Sequence, residues 1–156
     1  MIQILDTAKM EGMRFPANRR GRGFTGPNLF ENVGFRTGWI ELDPENGQVP
    51  WHNHPENEVY IMIEGENIQI ALEGEGVASL KKGQAVKVPS GKFHQLTNLG
   101  NERATFLYIY EGNGDVDHWR QELDGELPKA GVGEIPSLPE GAFRQCPEST
   151  KNSPDA

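Results

Sequence analysis

The sequence predicts an all-β fold, a sandwich or small barrel, on three observations. Glycine and proline number 19 and 11 in 156 residues, well above the usual combined share of roughly 12%, so the chain turns often. Hydrophobic residues make up 35% and charged residues 24%, ordinary values for one domain folding around a core. Between Phe35 and Tyr110 short apolar runs alternate with turn residues at close spacing, the pattern of a β-sandwich or barrel rather than a helical bundle.

The elements follow in order. Residues 1–34 form an N-terminal arm in which Arg14, Arg19, Arg20 and Arg22 sit among Pro16, Gly21, Gly23, Gly26 and Pro27, a composition that predicts irregular, extended structure. The arginines suit either an anion or an acidic surface of a partner subunit. Residues 35–111 are the barrel core, with seven or eight strands predicted at 34–42, 48–52, 58–64, 67–72, 77–81, 84–89, 93–98 and 103–110, divided by turns such as Asp43-Pro44-Glu45-Asn46-Gly47, Glu64-Gly65 and Ser90-Gly91. Residues 112–156 form an acidic, proline-rich tail. It holds one short helix, Val116–Leu123, with Asp115 as its N-cap and Gly125 as its stop.

Charge and composition exclude several function classes. The net charge of −8 repels phosphate backbones, so no nucleic-acid partner is expected and a small molecule is the default ligand. No apolar run approaches the roughly 20 residues that span a bilayer, and Met1–Glu11 lacks the pattern of a signal peptide, so the expected location is cytoplasmic with no membrane contact. Cys146 is the single cysteine, so it forms no internal disulfide and is a poor metal-cluster ligand.

Three of the four histidines fall in two short segments: His52 and His54 in Trp51-His52-Asn53-His54-Pro55-Glu56-Asn57-Glu58, and His94 in Pro89-Ser90-Gly91-Lys92-Phe93-His94. Side chains alternate along an extended strand, so His52 and His54 share a direction, Glu58, Tyr60 and Met62 share a face, and His94 shares one with Leu96. If these strands line one barrel, the three imidazoles and the Glu58 carboxylate can converge inside it. Such a donor set suits Fe, Mn, Ni, Co, Cu or Zn and fits Ca or Mg poorly. Taken alone, a His-x-His pair is more often a surface or hydrogen-bonded pair than a metal ligand.

The flanking residues carry a stronger signal. His52-x-His54, three residues, Glu58, six residues and Gly65 resemble the first motif of the cupin superfamily, whose opening glycine falls here on Asn46, the next-best residue for a left-handed turn. Gly83, Pro89, Gly91, His94 and Asn98 match every position of the second motif. The 17 residues between Gly65 and Gly83 are close to the family's shortest spacing, as in its compact single-domain microbial members.

This resemblance covers roughly Phe35 to Glu111. It implies a single double-stranded β-helix (jelly-roll) barrel, one divalent transition metal per chain with Fe favoured, and a homodimer paired through exchanged N-terminal strands. His52, His54, Glu58 and His94 are the implied metal ligands. With all four present, the metal-free epimerase branch of the family is disfavoured. The implied activity is a mononuclear metal-dependent enzyme, foremost an Fe(II)-type dioxygenase; a non-redox isomerase, lyase or decarboxylase of a small oxygenated acid or sugar, and a metal-containing binding module, are the alternatives.

Around that site Tyr60 is the candidate catalytic acid or base, with core packing as its other reading. Trp39, Trp51, Met62, Phe106, Tyr108 and Tyr110 are candidates for a pocket wall or for plain core. Arg36, Gln69 and Lys87 are polar strand residues, solvent-facing unless one of them orients a substrate carboxylate or phosphate. His118 is expected at the surface. Which face of the last strand points inward stays open, because Phe106, Tyr108 and Tyr110 on one face and Leu107 and Ile109 on the other are all apolar.

Overall fold

The structure, a computed structural model, describes residues 2–112 and 135–144. After one 3-10 turn, Thr7–Lys9, ten strands follow: β1 Met13–Phe15, β2 Arg19–Gly23, β3 Phe35–Leu42, β4 Gln48–His52, β5 Glu58–Glu64, β6 Ile68–Leu72, β7 Gly76–Leu80, β8 Ala85–Val88, β9 His94–Asn98 and β10 Ala104–Glu111. All eight strands expected in the barrel core are present. The predicted helix Val116–Leu123, His118 and Cys146 lie outside the described residues.

Two antiparallel sheets face each other as a jelly roll. One has the order β1-β2-β3-β10-β5-β8 and the other β4-β9-β6-β7. Alternation along β3, β5 and β10 turns Ile40, Leu42, Tyr60, Met62, Phe106, Tyr108 and Tyr110 inward, where they meet Ile68, Ile70 and Leu96 of the second sheet. Leu42, Leu96 and Phe106 are fully buried, each contributing about 1.5–3 kcal/mol relative to exposure. This decides the open question of the last strand: Phe106, Tyr108 and Tyr110 point in, and Leu107 and Ile109 stay half-buried on the outer face.

The N-terminal arm departs from expectation. Rather than remaining irregular it adds β1 and β2 to the edge of the larger sheet, β2 pairing with β3 over five residues, Arg19 with Leu42 through Gly23 with Gly38. Composition suggested irregularity, but a ready sheet edge supplies hydrogen-bond partners that a local reading of glycine content does not see. Arg14, Arg19 and Arg22 are engaged within the chain. Arg14 and Arg103 both reach Asp43, at 2.8 and 3.0 Å, Arg22 lies 3.5 Å from Glu41, and the Arg19 guanidinium stacks 4.9 Å from the centre of the Phe15 ring. Burial alone would raise the Asp43 carboxyl, but its Arg14 hydrogen bond and the charge of Arg103 lower it below its ordinary value.

Strands β4 and β9 are buried along their whole length, because both faces are covered. Their inner side meets the core, and outside it Trp51 of β4, Phe93 just before β9 and Ala71 of β6 form a second cluster, capped by Leu138 and Ala142 of the segment 135–144.

The β3–β4 turn shows how tightly the barrel end is closed. Asn46 takes the left-handed conformation, φ 69°, in the place of the motif's glycine. At Gly47 a Cβ would stand 2.6 Å from backbone atoms of Asp43 and 2.7 Å from the Asn18 carbonyl. Gly47→Ala is therefore expected to cost about 1–3 kcal/mol, read as a lowered urea midpoint, whereas Asn46→Gly leaves the midpoint within about 1 kcal/mol of the parent or above it.

Candidate metal centre

His52, His54 and His94 come together between the two sheets, all buried, with one ligand-capable nitrogen from each lying within 4.8 Å of the others. His52 ends β4 and His94 begins β9, and the two are direct cross-strand partners with ring centres 4.2 Å apart. The rings of His54 and His94 are 5.0 Å apart, and those of His52 and His54 5.6 Å. Glu58 opens β5 in the opposite sheet, so the group spans the barrel.

The convergence expected from strand alternation is present, but the route to it differs. Val49 pairs with Leu96 and His52 with His94, so β4 spends one residue more than β9 between those pairs. That bulge, at Pro50 and Trp51, lets Val49 and His52 both face inward although three positions apart. Pro50 fits there because a bulged residue needs no ladder N–H. His54 lies past the end of β4, in the 53–57 connection, so its direction is set by a loop and not by pleating.

That loop is tied to the second motif. Gly91 donates its N–H to the His54 carbonyl at 2.9 Å, and Asn53 Nδ2 donates to the Gly91 carbonyl at 3.0 Å. Asn98 closes the other end of the barrel by donating to the carbonyls of Leu42, Asp43 and Glu102. It is a structural residue, as read from sequence.

Each imidazole is oriented by its own neighbourhood. Nδ1 of His52 lies 2.6 Å from the Pro50 carbonyl, that of His54 3.0 Å from the Glu56 carbonyl, and that of His94 2.9 Å from the Lys92 carbonyl. A carbonyl only accepts, so each Nδ1 carries the proton and the Nε2 lone pair is turned toward the centre, the arrangement that metal-binding histidines adopt. Nε2 of His54 stands 2.9 Å from Glu58 Oε2 and Nε2 of His94 3.3 Å from the same oxygen. His94 Nε2 is buried without a hydrogen bond. A buried lone pair facing a carboxylate is unfavourable, and a cation bound between them removes the conflict. The donor set therefore fits a divalent transition metal, and the three histidines are placed to hold one.

Electrostatics agree with this. Burial would raise the Glu58 carboxyl, but His54 and His94 beside it hold it down at about 2, so the carboxylate remains ionised. Burial would lower the His54 imidazole, yet its hydrogen bond to Glu58 and the charges of Glu58 and Glu56 raise it above its ordinary value. With Nδ1 already donating to the Glu56 carbonyl, a second proton on Nε2 bridges to Glu58. A metal ion would take that proton's place.

The remaining candidates divide. Tyr60 lies on the inner face with its ring 6.0 Å from that of His94 and edge-on to Phe106 at 5.1 Å, a position that serves both the core and the centre. Tyr110 lies 5.9 Å from the His54 ring and stacks on Tyr108 at 5.5 Å. The Tyr108 hydroxyl is pushed well above its ordinary range by burial and by the charge of Glu58, against the opposing charge of Arg36, and stays protonated. Met62 and Phe106 are core below these rings.

Two tryptophans are corrected. Trp39 is on the outer face of β3, half-buried against Phe24, and Trp51 is in the outer cluster, so neither lines the interior. Gln69 binds the segment 135–144, and Lys87 is exposed. Arg36 is half-buried and shares the inward parity of Gly38 and Ile40, in one cross-strand row with Tyr110 and Glu58. The carbonyl locks on the imidazoles and the Asn53 tie had no sequence signal, because each depends on loop geometry.

Residues 38–110 match the family model described as the cupin domain, a stretch that contains all three histidines and Glu58. The barrel is a cupin domain. Over 95 residues the chain is 32% identical to an uncharacterized protein of Acanthamoeba polyphaga mimivirus, covering 59% of this chain and 57% of that protein. Over 99 residues it is 27% identical to gentisate 1,2-dioxygenase of Ralstonia sp., covering 56% of this chain and 28% of the enzyme. The chain thus spans little more than half the length of one curated relative and under a third of the other. Among solved structures, a Cupin 2 conserved barrel domain protein of Salinispora arenicola superposes with a TM-score of 0.57 at 24% identity, covering 78% of this chain and 96% of that one, and so shares the cupin fold. No helix among the described residues is long and apolar enough to cross a membrane.

The raised His54 pKa gives metal binding a defined pH dependence. The metal-free protein keeps a proton on His54 to higher pH than the ordinary 6.5, and a metal must displace it. Apparent zinc affinity, measured by competition with a chromophoric chelator, is expected to fall as the pH drops, beginning above 6.5. Glu58, ionised throughout that range, contributes none of the change. An affinity independent of pH between 6 and 8 would contradict the assignment of His54.

Proposed function

We propose that this cupin is a mononuclear metal-dependent enzyme of the Fe(II) dioxygenase type acting on a small organic acid, with His52, His54, Glu58 and His94 holding the metal. The observation that carries the reading is the set of three imidazoles, each tied through Nδ1 to a backbone carbonyl and each offering a nitrogen within 4.8 Å of the others, with the ionised, buried Glu58 carboxylate beside His54 and His94. Four protein ligands leave positions open on a transition metal, which when bound supplies Lewis-acid and one-electron chemistry. The likeness to gentisate 1,2-dioxygenase supports the oxygenase class over the others.

The chain's own residues supply the rest. Tyr60, on the same face as Glu58 and beside His94, is the group assigned to hold or move a proton at its phenolic oxygen. Tyr108 and Tyr110 form an apolar, stacked wall that keeps water from the centre. Arg36, two strands from Glu58 in the same row, places a cation at the edge of the site, suited to a substrate carboxylate by a charge-assisted hydrogen bond.

Protein purified without oxygen is expected to carry about one iron per chain by elemental analysis, and His52→Ala or His94→Ala to carry none, consistent with loss of a ligand. In an oxygen electrode the iron-loaded protein is expected to consume O2 on addition of gentisate or a related hydroxylated aromatic acid. Arg36→Gln should raise KM for such acids by about 10- to 100-fold, the worth of a hydrogen bond to a charged group, without changing metal content. Turnover of an organic acid in the absence of O2, with Mn or Zn in the site, would replace this reading with the lyase or decarboxylase class, and a metal-free parent protein would end it.

A further inference from the structure

We propose that the segment 135–144 is an outer clamp on the metal centre, with Trp51 and Phe93 as positioning residues, so that docking of the segment and occupation of the site strengthen each other. The inference rests on the reading of the three histidines as metal ligands and adds a coupling between that site and a part of the chain outside the barrel.

The coupling follows from two tripeptides. In 50–52 the Pro50 carbonyl locks His52 Nδ1, and in 92–94 the Lys92 carbonyl locks His94 Nδ1. The middle residue of each, Trp51 or Phe93, belongs to the outer cluster rather than to the centre. The two rings pack on each other at 5.7 Å. A shift of either outward ring therefore turns the short backbone unit that carries both an imidazole and the carbonyl that orients it. Held from outside, the two units keep a fixed spacing, which is the spacing of two of the three imidazoles.

What holds them is the segment 135–144. Leu138 and Ala142 pack on Trp51, Ala71 and Phe93. Among the described residues no strand ladder attaches the segment; side chains of three barrel strands do. Trp51 Nε1 donates to the Pro136 carbonyl at 2.8 Å, and Gln95 Nε2 to the Phe143 carbonyl at 2.8 Å. Gln69 donates to the Gly141 carbonyl at 3.0 Å and accepts from the Phe143 N–H at 2.8 Å. Because β4, β9 and β6 are neighbours in that order, these bonds draw both histidine-bearing strands and the adjoining β6 against one covering segment. An attachment made of a few side-chain bonds and a small apolar cluster opens more readily than a strand in the ladder. Its closed fraction can therefore respond to a ligand on the other side of the sheet, and linkage makes the effect reciprocal.

Hydrogen exchange on the full chain with and without stoichiometric zinc, paired with zinc affinities of two variants, tests this. Trp51→Phe keeps a ring and removes the bond to Pro136. Gln69→Ala removes a side chain that holds the segment while leaving the backbone ladder between β6 and β9 intact, and β6 itself carries no metal ligand. Zinc is expected to slow exchange of the Phe143 amide. Each variant should weaken zinc binding by about 10-fold, the lower end for loss of groups that orient ligands, and alter the visible spectrum of the cobalt-substituted protein while the secondary-structure signal is unchanged. Zinc bound equally tightly by the parent and by Gln69→Ala, with exchange at 143 unaffected, would overturn the clamp while leaving the metal site standing. No zinc binding by the parent would overturn both.

Discussion

The constraint on which the rest of the structure depends is the burial of one ionised carboxylate. Glu58 is 4% exposed and its carboxyl is held at about 2, so a full negative charge sits between two sheets. Removing such a charge from water costs several kcal/mol unless an opposite charge and directed hydrogen bonds accompany it. The imidazoles of His54 and His94 lie beside it and face the same carboxylate oxygen. Their protons on Nδ1 are committed to backbone carbonyls. The positive charge at the centre must then come from an added proton or from a metal ion, and the geometry favours an ion that uses every Nε2 at once.

Much of the barrel serves that centre. The bulge in β4 places His52 inward without surrendering Val49 to the surface. The bonds between the two motif loops bring His54 and His94 into one group. The loops could not do this by local preference, since each is short and the contacts link positions separated by 37 or 38 residues in the chain. The β3–β4 turn is pinned from three directions: by the arm through Asn18 and Arg14, by Arg103, and by Asn98 from β9. Rigid support of this kind holds ligand geometry within the narrow limits that metal chemistry requires.

The cupin barrel hosts unrelated reactions, so function has to be argued from the site and not from the fold. Here the donor set suits a transition metal, and the inner face offers aromatic rings with Arg36 at their edge. The chemistry divides on whether the loaded metal is redox-active, a matter of metal identity more than of barrel shape. The outer face of the four-stranded sheet is a separate matter. Its tryptophan, phenylalanine and two glutamines would be an odd surface in water but form a matched bed for the segment that lies on them.

By itself the sequence determined the eight barrel strands, the two motifs and the identity of the three histidines and Glu58. These are set by alternation, by turn residues and by short spacings, all of which are local. It also marked the left-handed turn at Asn46 and the structural duty of Asn98. Only the tertiary structure decided that the arm pairs as strands, that Trp39 and Trp51 face outward, that the last strand presents its tyrosines to the core, and that the segment 135–144 covers the histidine-bearing strands. Each of those depends on which distant surface is available to be covered. A chain records its own periodicity in its residues, but the partner that satisfies an edge or a half-apolar face is chosen by contacts far apart in sequence.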